Sequence, residues 1–526
     1  MQVHKLSYRS TGRFAPVVLD HVEGADVLKE FRVHGQGRDE LLQAATDRSF
    51  DAEHRAVLCD ALERGYAEVP VHEAVRANLD ALRRPSTLTV TTGHQLCLFT
   101  GPLYVPFKLL NAIRLARELS TPQRTVVPVF WMATEDHDRA EIDHAWISGT
   151  KVQWPGEPSG ATGSLPLNGI EAVLDEVDRL LGPGAYADEL RAMLHDAYRP
   201  GHTLAQATRL FVNALFGRFG LVVLDASDRE LKRLFTPVMR EEFFNQIAQR
   251  SVTYANAKLE PHYSIQAFAR EINLFHLRPD RRTRIELTGD GLRVLEGGPE
   301  FTWAELETAL GSQPEQFSPN VLLRPVYQET VLPNIAYIGG GGELAYWYQL
   351  RWLFQAVRVP MPALVLRTSA AFLSAKHERR WRDLALGPAD LFLPLDELEA
   401  RLAGERAGFN TRLDAETGSV RSAYAAIREH LTRADRSLEG AALAEEKRAL
   451  NGLVRLEKKL MRAAKRKESD VLRQMNEVVR AVLPNGLQER RDNFMPWYAR
   501  EGPGFFDRLL DVLDPLDPRF SLLIEE

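Results

Sequence analysis

Cysteine is almost missing from this chain of 526 residues, which has only Cys59 and Cys97. That excludes a disulfide framework and a cysteine-rich zinc site, and it suits a reducing compartment. Also missing is any uncharged apolar run approaching the roughly 18 residues of a membrane helix. The opening stretch, Met1 to Pro16, is polar and has no apolar signal core. Positive charge is not in excess, since 66 Lys plus Arg face 72 Asp plus Glu, a formal net charge of -6. A protein whose main partner is a phosphate backbone needs clustered positive charge, so no nucleic-acid partner is expected. The chain has no internal repeat and no low-complexity segment. Its composition, 44% hydrophobic and 26% charged, is that of a soluble globular protein. The length leaves room for about two to four units. A cytoplasmic location with no membrane partner is the expectation.

The stretch to about Leu82 reads as mostly helical, with apolar residues three and four apart. Thr87 to Thr92 (TLTVTT) then predicts a short buried strand. It runs into Gly93-His94-Gln95, and Tyr104 to Leu119 reads as a helix with Pro106 in its first turn. Four more runs look like buried strands: Thr125 to Met132, Gly220 to Asp225, Asn334 to Ile338 and Ala363 to Leu366. Each ends in a polar or glycine-rich cluster. Strand, polar turn and helix in succession predict an α/β domain with a mainly parallel sheet, whose ligands sit at the carboxyl ends of the strands.

After about Leu373 the strand signal fades. Val420, Tyr424, Ile427, Leu431, Ala434 and Leu438 form a heptad seam. Further seams run from Leu453 to Ala463 and from Val471 to Val482. An antiparallel helical hairpin is expected, with Gly440 near its turn and Pro484-Asn485-Gly486 as its stop. The tail is aromatic enough to pack back on the body. The expected division is a core over 1–373 with a helical N-terminal region, a helical coiled coil over 374–483, and the tail over 484–526.

Three clusters carry chemistry. In the first, Gly93, His94, Gln95, Thr100, Gly101, Tyr104 and Lys108 surround a strand-to-helix turn. Such a turn offers backbone N–H groups to an anion, with side-chain donors and one lysine added. Neither a G-x-G-x-x-G fingerprint nor a Walker A run is present, and ordinary helix caps explain the same residues. Cys97, between Leu96 and Leu98, reads as a packed residue and not as a nucleophile. In the second, Glu135, Asp136, His137 and Asp138 follow an apolar strand directly. They suit a divalent metal, a substrate ammonium, or general-base chemistry through His137. Acids at a helix N-terminus account for the carboxylates but not for the embedded histidine. In the third, Gly339, Gly340, Gly341 and Gly342 stand between Tyr337 and Glu343. So many glycines mark a tight turn or a close backbone approach. Arg324 and Gln328, slightly upstream, add polar contacts to the same region. Five of the chain's 12 lysines fall between Lys447 and Lys467 among glutamates, the pattern of a solvated coiled-coil face.

The runs TTGHQLCLFTGPLYVPFK, VVPVFWMATEDHDRAEI, GLVVLDASDRELK, RPVYQETVLPNIAYIGGGGELAYWYQL and LPNGLQER, in that order, resemble the bacillithiol-biosynthesis cysteine-adding enzymes, a family of cysteine ligases. The resemblance covers nearly the whole chain. It implies a Rossmann-like core akin to class I aminoacyl-tRNA synthetases and nucleotidyltransferases, with connecting-peptide insertions and a C-terminal coiled coil that forms a homodimer. It also implies a ligase joining the carboxyl of L-cysteine to the amine of glucosaminyl-malate, the last step of bacillithiol biosynthesis. ATP, giving ADP or AMP, would activate the carboxyl, with magnesium as a companion. Gly93 to Lys108 then stands where related folds bind phosphates, and Arg367-Thr368-Ser369 where they place a second phosphate loop. The Glu135 to Asp138 cluster would bind an ammonium and, through His137 or Asp138, take its proton, while Gly339 to Glu343 and Tyr337 wall the pocket. The chain departs from the family at His94, where glutamine is usual, and at Leu96-Cys97, where a small Ala-Gly pair is usual, and its second loop lacks the usual lysines. The reading from another class is a non-catalytic nucleotide-binding scaffold or sensor with a dimerising coiled coil; five polar strand ends on one domain favour an enzyme.

Overall fold

The β-branched run after Pro85 is a buried strand in the computed structural model, which describes residues 1–157 and 160–525. Strand β1 (Leu88–His94) is covered on both faces until its last residue. Four strands join it: β2 (Val126–Met132), β3 (Val222–Asp225), β4 (Asn334–Gly339) and β5 (Ala363–Leu366). They are the five runs expected from the sequence. Their order is β5-β4-β1-β2-β3, with every neighbouring pair parallel. The chain therefore steps outward from β1 to β3 and then returns to lay β4 on the other side of β1. That reversal is a topological switch point, where the strand ends open a crevice.

Strands buried on both faces read as near-continuous apolar runs, and β2 through β5 do so. The threonines of β1 are the exception, and their hydroxyls are satisfied internally. Thr89 and Thr91 donate to Asn334 Oδ1 at 3.3 and 2.9 Å, and Thr92 donates to the Ile338 carbonyl at 2.8 Å. The helix Tyr104–Leu119 covers one face, packing Ala112, Leu115 and Ala116 with Leu88, Val90, Ile335 and Val365.

Between β3 and β4 the chain builds a second, antiparallel sheet from Leu274–Arg278, Arg281–Leu287, Gly291–Val294, Glu300–Thr302 and Phe317–Pro319. A buried ion pair anchors it over the strand ends. Lys232, fully buried, reaches Glu135 at 2.7 Å and donates to the Phe317 carbonyl, while Ser318 donates to the same carboxylate.

The N-terminal region does not begin as a helix. Gln2–Ser7 is a strand, antiparallel to Arg519–Ile524, which in turn pairs in parallel with Ala370–Leu373. Its partner lies at the far end of the sequence, so no local periodicity reveals it. Beyond Leu373 the helices Asp414–Ala434 and Glu439–Lys467 pack as a hairpin. The break falls at Asp435–Leu438, and Gly440 lies inside the second helix. A third helix, Ser469–Val482, stops before Pro484. In the tail, Phe494, Phe505 and Phe506 are fully buried.

Candidate functional site

Each core strand delivers its last residues to the same edge, and over the ends of β1, β4 and β5 lies a cavity of about 980 Å³. Gly93, His94 and Gln95 leave β1 into its floor. Gly340, Gly341 and Glu343 follow β4, Arg367 follows β5, and Asp136 closes the β2 side. Tyr104 and Lys108 enter from the covering helix. The roof comes from the insertion, through Phe275 and Arg282, and from Arg270, Asn320 and Arg324 beside it. Six cationic side chains (Lys108, Arg270, Arg282, Arg324, Arg367, Arg490) face three carboxylates (Asp136, Glu141, Glu343), an excess of three positive charges. Such a lining favours a ligand with several acidic oxygens.

Two buried ion pairs fix the floor. Lys108 Nζ donates to the Gly93 carbonyl at 3.0 Å and pairs with Glu343. Glu343 also accepts from Tyr337 at 2.6 Å and from the Gly340 N–H at 2.8 Å. Burial works against the Glu343 charge, yet Lys108 and Tyr337 hold its carboxyl down at about 2. Arg367 pairs at 2.8 Å with Glu489, which is fully buried and also accepts from the Ala370 N–H. The late motif LPNGLQER thus ties the end of β5 to the C-terminal region. Burial, with Lys108 adding to it, brings His94 down to about 3, so its imidazole is neutral. His94 Nε2 lies 3.3 Å from the Tyr104 hydroxyl and 3.6 Å from Cys97 Sγ. Burial pushes the Cys97 thiol up to about 12, as expected of a packed residue.

On the β2 side, Gln95 Nε2 donates to both Asp136 and Glu141 at 2.6 Å. Burial would raise the Asp136 carboxyl, but hydrogen bonds from His137 and Gln95 and the Arg282 guanidinium hold it below the usual range. Arg282 Nη1 stands 3.8 Å from Asp136 Oδ1 and 3.3 Å from His137 Nδ1. Its other nitrogens donate to Ser318 and to the Pro319 carbonyl.

Thirteen of the residues expected at the site line this cavity: Gly93, His94, Gln95, Tyr104, Lys108, Asp136, Arg324, Tyr337, Gly340, Gly341, Gly342, Glu343 and Arg367. The others do not. Glu135, in the turn that follows β2, instead lines a second cavity of about 1010 Å³ past the ends of β2 and β3, where Lys232 and Ser318 hold its carboxylate. His137 and Asp138 are exposed at the rim. Thr100 and Gly101 form a buried left-handed turn, pinned where Asn493 donates to the Gly101 carbonyl at 2.7 Å. Gln328 is fully buried behind Arg324; Gly339 is buried, and Ser369 receives the Arg367 guanidinium at 3.3 Å. The expected backbone cradle at the start of Tyr104–Leu119 is absent. There the Val105 and Phe107 amides bond to Pro102 and Leu103 carbonyls, the Leu103 amide bonds to Asp492, and Pro106 has none to offer. Arg282, Arg270, Glu141 and Arg490 were not foreseen. Glu141 and Arg490 lie inside motifs quoted above, whereas nothing in RRTR announces that Arg282 crosses to the core. Among the described residues, no three His, Cys, Asp or Glu side chains gather as metal ligands, and no helix is long and apolar enough to cross a membrane.

Two family models divide the chain between them. Residues 1–368 match "Bacillithiol biosynthesis BshC, N-terminal Rossmann-like domain", and residues 370–525 match "Bacillithiol biosynthesis BshC, C-terminal coiled-coil domain". The chain belongs to the BshC family. A relative from Flavobacterium johnsoniae, described as "Putative cysteine ligase BshC", is 34% identical over 523 residues, 98% of this chain and 99% of its own. One of the same description from Cytophaga hutchinsonii is 35% identical over 517 residues, 98% of this chain and 97% of its own. A solved structure described as a "putative arginyl t-RNA synthetase" from Campylobacter jejuni covers 88% of this chain and 98% of its own at 9% identity, but its TM-score of 0.21 carries no argument. The Rossmann-like core and the coiled coil expected of the BshC family are both present in the fold.

Proposed function

We propose that this protein is a nucleotide-dependent cysteine ligase that joins the carboxyl of L-cysteine to the amine of glucosaminyl-malate in the last step of bacillithiol biosynthesis, in the cytoplasm. Similarity over 98% of the chain to relatives named "Putative cysteine ligase BshC" supports the reaction class. The observation that carries the substrate reading is the surplus of three positive charges in the switch-point cavity, which suits a malyl dicarboxylate and phosphate oxygens together. The donor set fits a nucleoside triphosphate through guanidinium groups and not through backbone amides. When bound, ATP would supply the activation that makes amide formation from a free carboxylate favourable.

The chain's own residues then divide the work. Asp136, held ionised, and Glu141 draw the substrate ammonium to the β2 side, with Gln95 fixing both carboxylates. His137, beside Asp136 at the rim, takes the proton once the ammonium displaces Arg282 from Nδ1. The Lys108–Glu343 pair and Tyr337 keep the wall rigid. Ile427, Leu443, Val454 and Leu456 leave apolar surface uncovered on the helical hairpin, which supports a homodimer. Incubating the pure protein with cysteine, glucosaminyl-malate and labelled ATP tests the proposal. Bacillithiol with AMP or ADP is the expected result; no amide product overturns it.

A further inference from the structure

Three of the six cations around the cavity have a protein counter-charge. Lys108 has Glu343, Arg367 has Glu489, and Arg282 stands near Asp136. Arg324 differs. It leaves the start of the helix Leu323–Val331, lines the cavity, and has no carboxylate within 4.0 Å among the described residues. Nη1 donates to Gln328 Oε1 at 3.2 Å and Nη2 donates to the Tyr346 hydroxyl at 2.9 Å. A guanidinium has five N–H donors, so most of this fork stays uncommitted. The charge of Glu343 also acts on Arg324, but that carboxylate is held by Lys108.

The guanidinium is placed with care. A Cβ added to Gly93 would meet Nη1 at 3.4 Å and the Tyr337 hydroxyl at 3.5 Å, so Arg324 lies directly over the end of β1. Behind it runs a buried chain of hydrogen bonds. Gln328 Nε2 donates to Glu329 at 2.8 Å, Asn334 donates to the same carboxylate oxygen at 2.9 Å, and Thr91 donates to Asn334. Gln328 therefore props Arg324 from beneath the sheet edge and does not face the cavity. A partly buried cation without a counter-ion is costly, and a propped, planar fork matches an oxyanion with two oxygens.

We infer that Arg324 is the oxyanion-recognition residue of the cavity, taking a two-oxygen face of a substrate carboxylate or phosphate, with Gln328 as its positioning residue. This rests on the proposed ligase reading only for the identity of the substrate. Two sources offer such a face, the malyl carboxylates and the nucleotide phosphates, and calorimetry on the full-length protein separates them with L-malate and inorganic pyrophosphate as probes. Replacing Arg324→Gln should weaken one probe by about 10–100-fold, and Arg324→Lys, which keeps charge but loses the fork, should fail to restore it. Loss confined to malate assigns the dicarboxylate, and loss confined to pyrophosphate assigns the nucleotide. Gln328→Leu, which also takes a donor from buried Glu329 and so lowers the melting point, should weaken the same probe at a temperature where circular dichroism shows the variant fully folded. The inference falls if both probes bind R324Q as they bind the parent, if neither binds the parent, or if R324K binds as well as the parent. Because binding is read without turnover, absence of the amide product overturns the ligase reading and leaves this result intact.

Discussion

Replacing Glu343→Gln should loosen the floor of the cavity by an amount the structure defines. The substitution removes the charge and one of the two acceptor oxygens that Tyr337 and the Gly340 amide share, and it leaves Lys108, only 2% exposed, without a counter-charge. Removing one member of a buried pair costs about 3–5 kcal/mol. Glu343, 23% exposed, is depressed from 4.5 to about 2, which corresponds to about 3 kcal/mol. The two routes agree in size. The measurement is amide hydrogen exchange in β4 and in Gly341–Trp347, where opening should become on the order of 100-fold easier. The acid dependence carries a sign. A depressed carboxyl contributes stability in full above its unfolded value of 4.5 and loses it as pH falls toward about 2. The difference between parent and variant should therefore be largest near neutrality and shrink on acidification below 4.5. Unchanged exchange at neutral pH, or a difference that persists undiminished toward pH 2, refutes the pairing argument.

Three further outcomes are expected. Cys97, with its thiol pushed up to about 12 by burial, should resist iodoacetamide in the folded protein at neutral pH; stoichiometric labelling there would show the site to be open. Replacing His137→Ala should reduce amide formation by about 100-fold or more without moving the unfolding curve, since the side chain is 48% exposed; full activity would remove it from the proton transfer. Placing glutamates at Ile427 and Val454, both more than 40% exposed, should convert a dimer into a monomer by light scattering at micromolar concentration. A parent protein already monomeric there would leave the hairpin without that role.

The core was legible because parallel strands buried on both faces leave unbroken runs such as TVVPVFWM, and because each run ended in groups that do not belong in a core. The site was legible to the same depth: the ends of β1, β4 and β5 do form its floor. Two physical facts hid the rest. Glu135 and Asp136, adjacent in the turn after β2, serve different cavities, since Lys232 takes the first and Gln95 the second. The insertion's strands are half exposed and arginine-rich, so RRTRIEL has no apolar run to mark it, although its alternation buries Thr283 and Ile285. Its Arg282 meets His137 across a separation of 145 residues, which no local pattern encodes. The threonines of β1 also show why hydroxyls need not break a buried strand, since a single Asn334 side chain accepts from two of them.

The three-stranded sheet that joins Gln2–Ser7 to Arg519–Ile524 sets an order of events during synthesis. At about 5–20 residues per second, the first strand waits roughly 25–100 s on the ribosome before its partner is made. Until then Ala370–Leu373 presents a bare edge as well, since Arg519–Ile524 is the strand between them. A chain that stalls short of residue 519 therefore carries two unpaired strands, an exposed mark by which incomplete copies differ from finished ones and a surface that chaperones or proteases can read.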